Sequence, residues 1–231
     1  MLWIVAAVSL AAAPTKPCPH PFFPIEEGLK LTYRAGKDEI PVRYSEVKVS
    51  DDKVTGTIEM TVKGKTGKTE AQCSAVGIMT GHGGLEGLAL QSSGMDMTIE
   101  KSEGVVLPPP SQMVPGKKWS NAFTVKMRPP KSMTGGGGLK GAFSAALVMT
   151  TTLTKESVVM GPDKVTVTAG TFDALKVLNK TSALGGDGGS TRMVESHMWL
   201  VPGLGIVKIM TGESVDFELL KVERAERADA K

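Results

Sequence analysis

The sequence predicts an all-β protein in which about 11 to 12 antiparallel strands form one large curved sheet, an open half-barrel. Three observations lead there. Beyond residue 28, apolar and polar residues alternate in run after run, with β-branched residues enriched, as expected of strands with one face buried. Clusters of Gly, Pro, Asn and Asp separate the runs at hairpin spacing. No segment before the C-terminus carries a capped helical period, which disfavours βαβ units and a parallel nucleotide-binding sheet.

Residues 53–63 give the clearest strand. In KVTGTIEMTVK, Val54, Gly56, Ile58, Met60 and Val62 share one face, and Lys53, Thr55, Thr57, Glu59, Thr61 and Lys63 share the other. At about 3.3 Å per residue this strand is roughly 35 Å long, well beyond the usual five or six residues, and long strands suit a curved sheet. Strands are likewise predicted over residues 29–34, 42–49, 69–78, 95–100, 119–127, 142–155, 165–168, 172–179, 191–200, 206–210 and 215–222. Turns are expected at residues 63–67, 81–84, 108–110, 161–163, 185–189 and 202–203. The charged, alanine-containing tail, residues 221–231, is compatible with a short helix or a frayed extension.

The length of 231 residues fits one β domain, taken as residues 25–222. A hydrophobic fraction of 41% with 22% charged residues excludes a disordered chain, and the 27 glycines have no three-residue period, which excludes a collagen-like rod. A net charge of +3 with scattered basic residues gives no nucleic-acid footprint.

From Leu2 to Ala13 the chain reads LWIVAAVSLAAA, uncharged and ending in an alanine run suited to signal peptidase. The run is too short to span a bilayer, and Pro14, Lys16 and Pro17 stop it, so residues 1–13 are expected to be an export signal and no transmembrane span is expected. An arm, residues 14–24, follows. Cys18 and Cys73 are the two cysteines, and in an oxidising compartment they are candidates for a disulfide that would staple this arm to the first sheet; two unpaired thiols are the alternative.

So many strands must hide one face from water, either around a filled core or around a cavity. The chain has 13 methionines against six Phe, two Tyr and three Trp. Methionine is flexible and polarisable, and is favoured on surfaces that accommodate varied apolar ligands, although it also fills ordinary cores. Alternation nominates Ile58, Met60, Val62, Met97, Val125, Met127, Leu147, Met149, Val177 and Met198 as lining residues. The Pro-rich stretch 105–115 and the Gly-rich stretch 129–141 read as loops at a rim or flaps over an opening.

Catalytic signatures are sparse. His20, His82 and His197 stand at no metal-ligand spacing from one another or from a cysteine, so no metal site and no cofactor are implied. Gly81-His82-Gly83-Gly84 has the look of a lipase oxyanion loop, but no G-x-S-x-G nucleophile elbow accompanies it and it reads as a turn. Gly135–Gly138 lacks the lysine and helix of a phosphate loop.

Four segments together carry a family likeness: Phe22-Phe-Pro-Ile-Glu-Glu-Gly28 followed by Leu31-Thr-Tyr-Arg34; Val114-Pro-Gly-Lys-Lys-Trp119; Val165-Thr-Val-Thr-Ala-Gly-Thr-Phe172 with Ala174-Leu-Lys-Val177; and Trp199-Leu-Val-Pro-Gly-Leu-Gly-Ile-Val-Lys208. In order and spacing they resemble a bacterial exported family of unknown function that is similar to the lipoprotein-localisation-factor (LolA/LolB-like) superfamily. Leu31 stands where that family often has an aromatic, and the Gly135–Gly141 stretch is a departure. The resemblance implies a half-barrel with an apolar concave face that, in the superfamily, carries acyl chains or lipoproteins between membranes. The expectation is a non-catalytic exported protein, periplasmic or outer-envelope associated, that binds a lipid-like or other apolar ligand. A structural or protein-interaction module of the envelope is the alternative, and a hydrolase with a non-standard site is a weaker one.

Overall fold

The computed structural model describes residues 20–81, 84–92, 96–128, 149–185 and 192–224. The signal segment, Cys18, His82, Leu147, the Gly-rich stretch and the end of the C-terminal tail lie outside the described residues. Twelve strands run in chain order: β1 (Lys30–Ala35), β2 (Asp38–Val49), β3 (Lys53–Val62), β4 (Lys65–Ser74), β5 (Gly77–Thr80), β6 (Asp96–Gly104), β7 (Lys118–Arg128), β8 (Met149–Val167), β9 (Gly170–Gly185), β10 (Arg192–Val201), β11 (Gly205–Thr211) and β12 (Ser214–Glu223). A helix, α1 (Leu85–Ser92), lies between β5 and β6. All the strands belong to one antiparallel sheet in the order β5-β4-β3-β2-β1-β12-β11-β10-β9-β8-β7-β6. Sequential hairpins build it, and the pairing of β1 with β12 joins its two halves.

The sheet curls until its edges meet. Past the end of β6, Leu107 bridges Ile78 of β5: the Ile78 amide donates to the Leu107 carbonyl and the Val106 amide to the Ile78 carbonyl, both at 2.8 Å. An exposed sheet edge invites pairing with other chains, and this seam uses up the edge of β5. Gly77 permits the approach. Its φ is +116°, and a Cβ there would lie 2.3 Å from the Leu107 carbonyl oxygen.

The predicted alternation is realised in cross-strand rows. Val42, Met60 and Gly67 stand opposite one another across β2, β3 and β4, and Tyr44, Ile58 and Thr69 form the next row. Leu31, Tyr33, Ile58, Met60, Ile78, Leu200 and Leu219 are almost fully buried in one core cluster. Tyr33 stacks on Phe217 with ring centroids 4.2 Å apart and donates its hydroxyl to the Ile206 carbonyl at 2.9 Å. Cys73, opposite Val54 and Ile78, is buried and disulfide-bonded.

Three expectations are corrected. The run 69–78 is not one strand: Ala75 and Val76 form a turn that divides β4 from β5. The predicted turn at 161–163 lies inside β8, where the register shifts between Val159 and Gly161; Gly161, at φ +136°, makes a bulge, which a glycine supports as readily as a turn. Residues 85–92 are helical: Thr80 Oγ1 accepts from the Gly84 amide at 2.6 Å at the helix start, and Leu85 and Leu88 on one face enter the core. The first residues of the tail, through Glu223, continue β12 as strand.

Beyond that bulge the β8–β9 hairpin reaches across the neighbouring strands to β12. The Ala169 amide donates to the Leu219 carbonyl at 3.2 Å, and Glu218 accepts from the Thr168 amide, the Thr168 hydroxyl and Arg34, each at 2.8 Å. Met198, Trp199, Leu200 and Val201 are buried one after another, so the sheet is covered on both faces there.

The N-terminal arm closes one end of the barrel. Pro21 accepts from the Gly203 amide at 2.7 Å in the turn between β10 and β11. His20 accepts from the Phe22 amide at Nδ1 and donates from Nε2 to the Pro108 carbonyl at 2.9 Å, a pairing that fixes the neutral tautomer. Burial lowers the pKa of this histidine, opposed in part by the Pro108 hydrogen bond. Phe23 enters the interior, edge-on to Tyr44.

Candidate functional site

The inner face changes character along β7 to β10. Near the arm it is apolar: Val159, Val177 and Met198 stand in one row across β8, β9 and β10 and are buried. Two residues further along each strand, the next row holds Ser157, Asn179 and Ser196, and the Ser157 hydroxyl donates to Asn179 Oδ1 at 2.8 Å. The row after it holds Asn121, Lys155 and Thr181. Asn121 is 3% exposed and Lys155 8%. A polar belt therefore crosses an otherwise apolar wall.

Asn121 is the anomaly of this belt. Neither its Nδ2 nor its Oδ1 has a hydrogen-bond partner, although buried amides are nearly always paired and an unpaired one costs about 1–3 kcal/mol. Its cross-strand neighbour Lys155 is a residue type almost never buried without a partner, and in this protein it has one. Lys155 is also the one ionisable side chain on a pocket whose other walls are Phe23, Leu85, Val106, Leu107, Met198, Leu200 and Ile206. That pocket is small. Counted out to its mouth it holds about 310 Å³ of empty space, at the lower end of ligand-site volumes, with enclosed room for about one water molecule.

Above the belt the wall becomes apolar again and opens. β10 pairs with β11 only from His197 to Val201, whereas its pairing with β9 begins at Arg192, so β9 and β10 project past the end of β11. On the inner face of β7, Phe123 and Val125 are buried and Met127 is half-buried. Met97, Met127 and Met149 stand in one row across β6, β7 and β8. Met149 is 52% exposed, and Leu184, Met193 and Val194 at the same rim are exposed as well.

The ten nominated lining residues thus fall into three places. Ile58, Met60 and Val62 belong to the packed half: Ile58 and Met60 are closed over by the core, and Val62 ends its strand half-buried. Val177 and Met198 are paired across β9 and β10 beside the small pocket. Met127 and Met149, in register with Met97, stand at the rim, and Val125 is buried two residues below Met127 on β7. Leu147 lies outside the described residues. The buried polar residues of this wall that the nomination passed over are Asn121 and Lys155. Their signal was alternation itself, because Asn121 is in phase with Val125 on β7 and Lys155 with Val159 on β8.

Among the described residues no group of three or more His, Cys, Asp or Glu side chains could hold a metal ion. Of the described helices, none is long and apolar enough to cross a membrane. On the outer face Trp199 donates its indole N–H to Asp163 at 2.9 Å, and Lys176 and Lys208 lie over its ring at 5.0 and 5.9 Å. That hydrogen bond holds the Asp163 carboxyl below its ordinary pKa. With each polar group satisfied, the cluster reads as support for the sheet.

Two solved structures match this architecture over nearly their whole length. One, from Bacteroides fragilis, is described as a candidate exported protein with a YmcC-like fold; it is 16% identical, covers 88% of this chain and 99% of its own, and has a TM-score of 0.60. The other, from Parabacteroides distasonis, is described as a candidate lipoprotein; it is 14% identical, covers 87% of this chain and 98% of its own, and has a TM-score of 0.56. This chain shares their fold. At such identities the likeness extends to the fold alone. No family model matches the chain, and no curated protein matches it. The likeness to the lipoprotein-localisation superfamily rests on the four sequence segments.

Proposed function

We propose that this is an exported protein of the bacterial cell envelope that binds the acyl part of a lipid-like ligand along the inner face of β6 to β8, without carrying out chemistry on it. The observation that carries the reading is the apolar run above the polar belt: on one face of β7 and β8, buried Val125, half-buried Met127 and exposed Met149 lead from the interior out to the rim. Burial of apolar ligand surface there is worth about 25 cal/mol per Å². Envelope location draws support from the signal-like residues 1–13 and from what is said of the two structural neighbours. Titration with an environment-sensitive fluorescent fatty acid tests the reading: saturable uptake near one equivalent, weakened by Val125→Asp, supports it, and no uptake by folded protein overturns it.

A second reading, a structural or protein-interaction module of the envelope, draws on a different observation. The pocket below the belt is too small for an acyl chain as it stands, and Leu184 and Met193 are exposed at the rim. Recovery of a stoichiometric protein partner from envelope extracts, with no amphiphile bound, would favour it.

A further inference from the structure

We infer that the polar belt is a headgroup subsite and that the ligand is an amphiphile bearing a single carboxylate, such as a free fatty acid, with its head between Asn121 and Lys155 and its tail along the rim. The inference rests on the acyl-binding reading above and deepens it. Its first support is the unpartnered amide. Asn121 is buried to 97%, with both polar atoms unsatisfied, and it points to the same side as the apolar ligand surface proposed for Val125 and Met127. An amide kept dry and unpaired is costly, and a bound acceptor that takes a hydrogen bond from Nδ2 removes that cost.

Its second support is the charge beside that amide. Asn121 and Lys155 are direct cross-strand partners, with Cβ atoms about 4.5–5.5 Å apart in such pairs, so one two-oxygen group can face both. An ammonium has three N–H donors, so a ligand carboxylate can take one while the existing partner of Lys155 keeps another. Among the buried residues of the belt Lys155 is the one cation, and Asn179 already engages Ser157, so the donors match a monoanion better than a dianionic phosphate. The tail follows from geometry. The pocket on the arm side of Lys155 has room for about one water, whereas on the other side the same face of β7 continues apolar through buried Phe123 and Val125 to half-buried Met127, beside exposed Met149.

The test compares a saturated fatty acid with the fatty alcohol of equal length, each displacing the same fluorescent probe from the full exported chain and from Asn121→Leu and Lys155→Met. The expected result is a preference for the acid of about tenfold or more in the natural protein, lost in both variants while alcohol binding persists. Asn121→Leu should also melt at a higher temperature, since an apolar side chain of similar size replaces an unsatisfied amide; that rise shows the variant to be folded. Equal affinities for acid and alcohol in the natural protein would overturn the headgroup assignment and leave acyl binding standing. Failure of both amphiphiles to displace or bind would overturn acyl binding itself.

Discussion

Replacing Gly77 by alanine tests how the barrel is closed. A Cβ at this position would sit 2.3 Å from the Leu107 carbonyl oxygen, a distance that real side chains do not tolerate, and a tight 3.1 Å from Pro108 backbone atoms. The backbone must therefore move, and the two seam hydrogen bonds between Ile78 and the 106–107 segment are what it would break. Each is worth about 0.5–1.5 kcal/mol net. A non-glycine residue at positive φ adds about 1–2 kcal/mol, so the total loss is about 2–5 kcal/mol. Gly36 is the control. Its φ is +61° and its Cβ would meet nothing within 4 Å, so Gly36→Ala should cost only about 1–2 kcal/mol. Urea unfolding of both variants, with hydrogen exchange at the Ile78 and Val106 amides, separates the two costs. If Gly77→Ala loses no more than Gly36→Ala and the two amides stay protected, the seam is not held by this close approach.

Two further outcomes follow from the interior. Burial depresses the pKa of His20, so the protonated form is disfavoured in the folded state; the stability this histidine contributes is complete above its unfolded value of about 6.5 and is lost as pH falls below that value toward the folded pKa. Thermal melts at pH 7.5 and pH 5 should therefore show a larger acid loss in the natural protein than in His20→Gln, with a slope difference of at most about 1.4 kcal/mol per pH unit; parallel losses would refute the assignment. Leu85→Ala removes a wall of the small pocket and should cost about 2–3 kcal/mol by denaturant unfolding while increasing fatty-acid uptake; a stable variant with unchanged uptake would mean that this pocket does not communicate with the ligand surface.

The strands were legible because one face of nearly every strand is buried, and burial on one face writes a period of two into the sequence. Residues 53–63 illustrate it: Val54, Gly56, Ile58 and Met60 are all buried, as their phase predicts. What misled was local chemistry with more than one use. Gly161 and Pro162 read as a turn, yet β8 passes through them because a bulge absorbs the positive φ. Helix α1 is only eight residues long and contains Gly87, so its apolar residues, Leu85, Leu88, Ala89 and Leu90, span too few turns to show a helical period. The candidate site was half legible. Alternation found Val125, Met127 and Met149, but it could not show that exposure rises along that face from buried Val125 to exposed Met149. Asn121 and Lys155 were in phase with buried neighbours and still escaped notice, because polar residues are ordinarily taken to face water.

The central claim is that an amphiphile rests on the inner face of β6 to β8, and native mass spectrometry of the protein purified gently from envelope fractions tests it most directly. The expected spectrum shows a population heavier than the bare chain by one lipid-sized mass, released on mild activation, identified as a monocarboxylic amphiphile, and reduced in Asn121→Leu. A bare-chain mass alone, under conditions that preserve a known protein–lipid complex measured alongside, would contradict it.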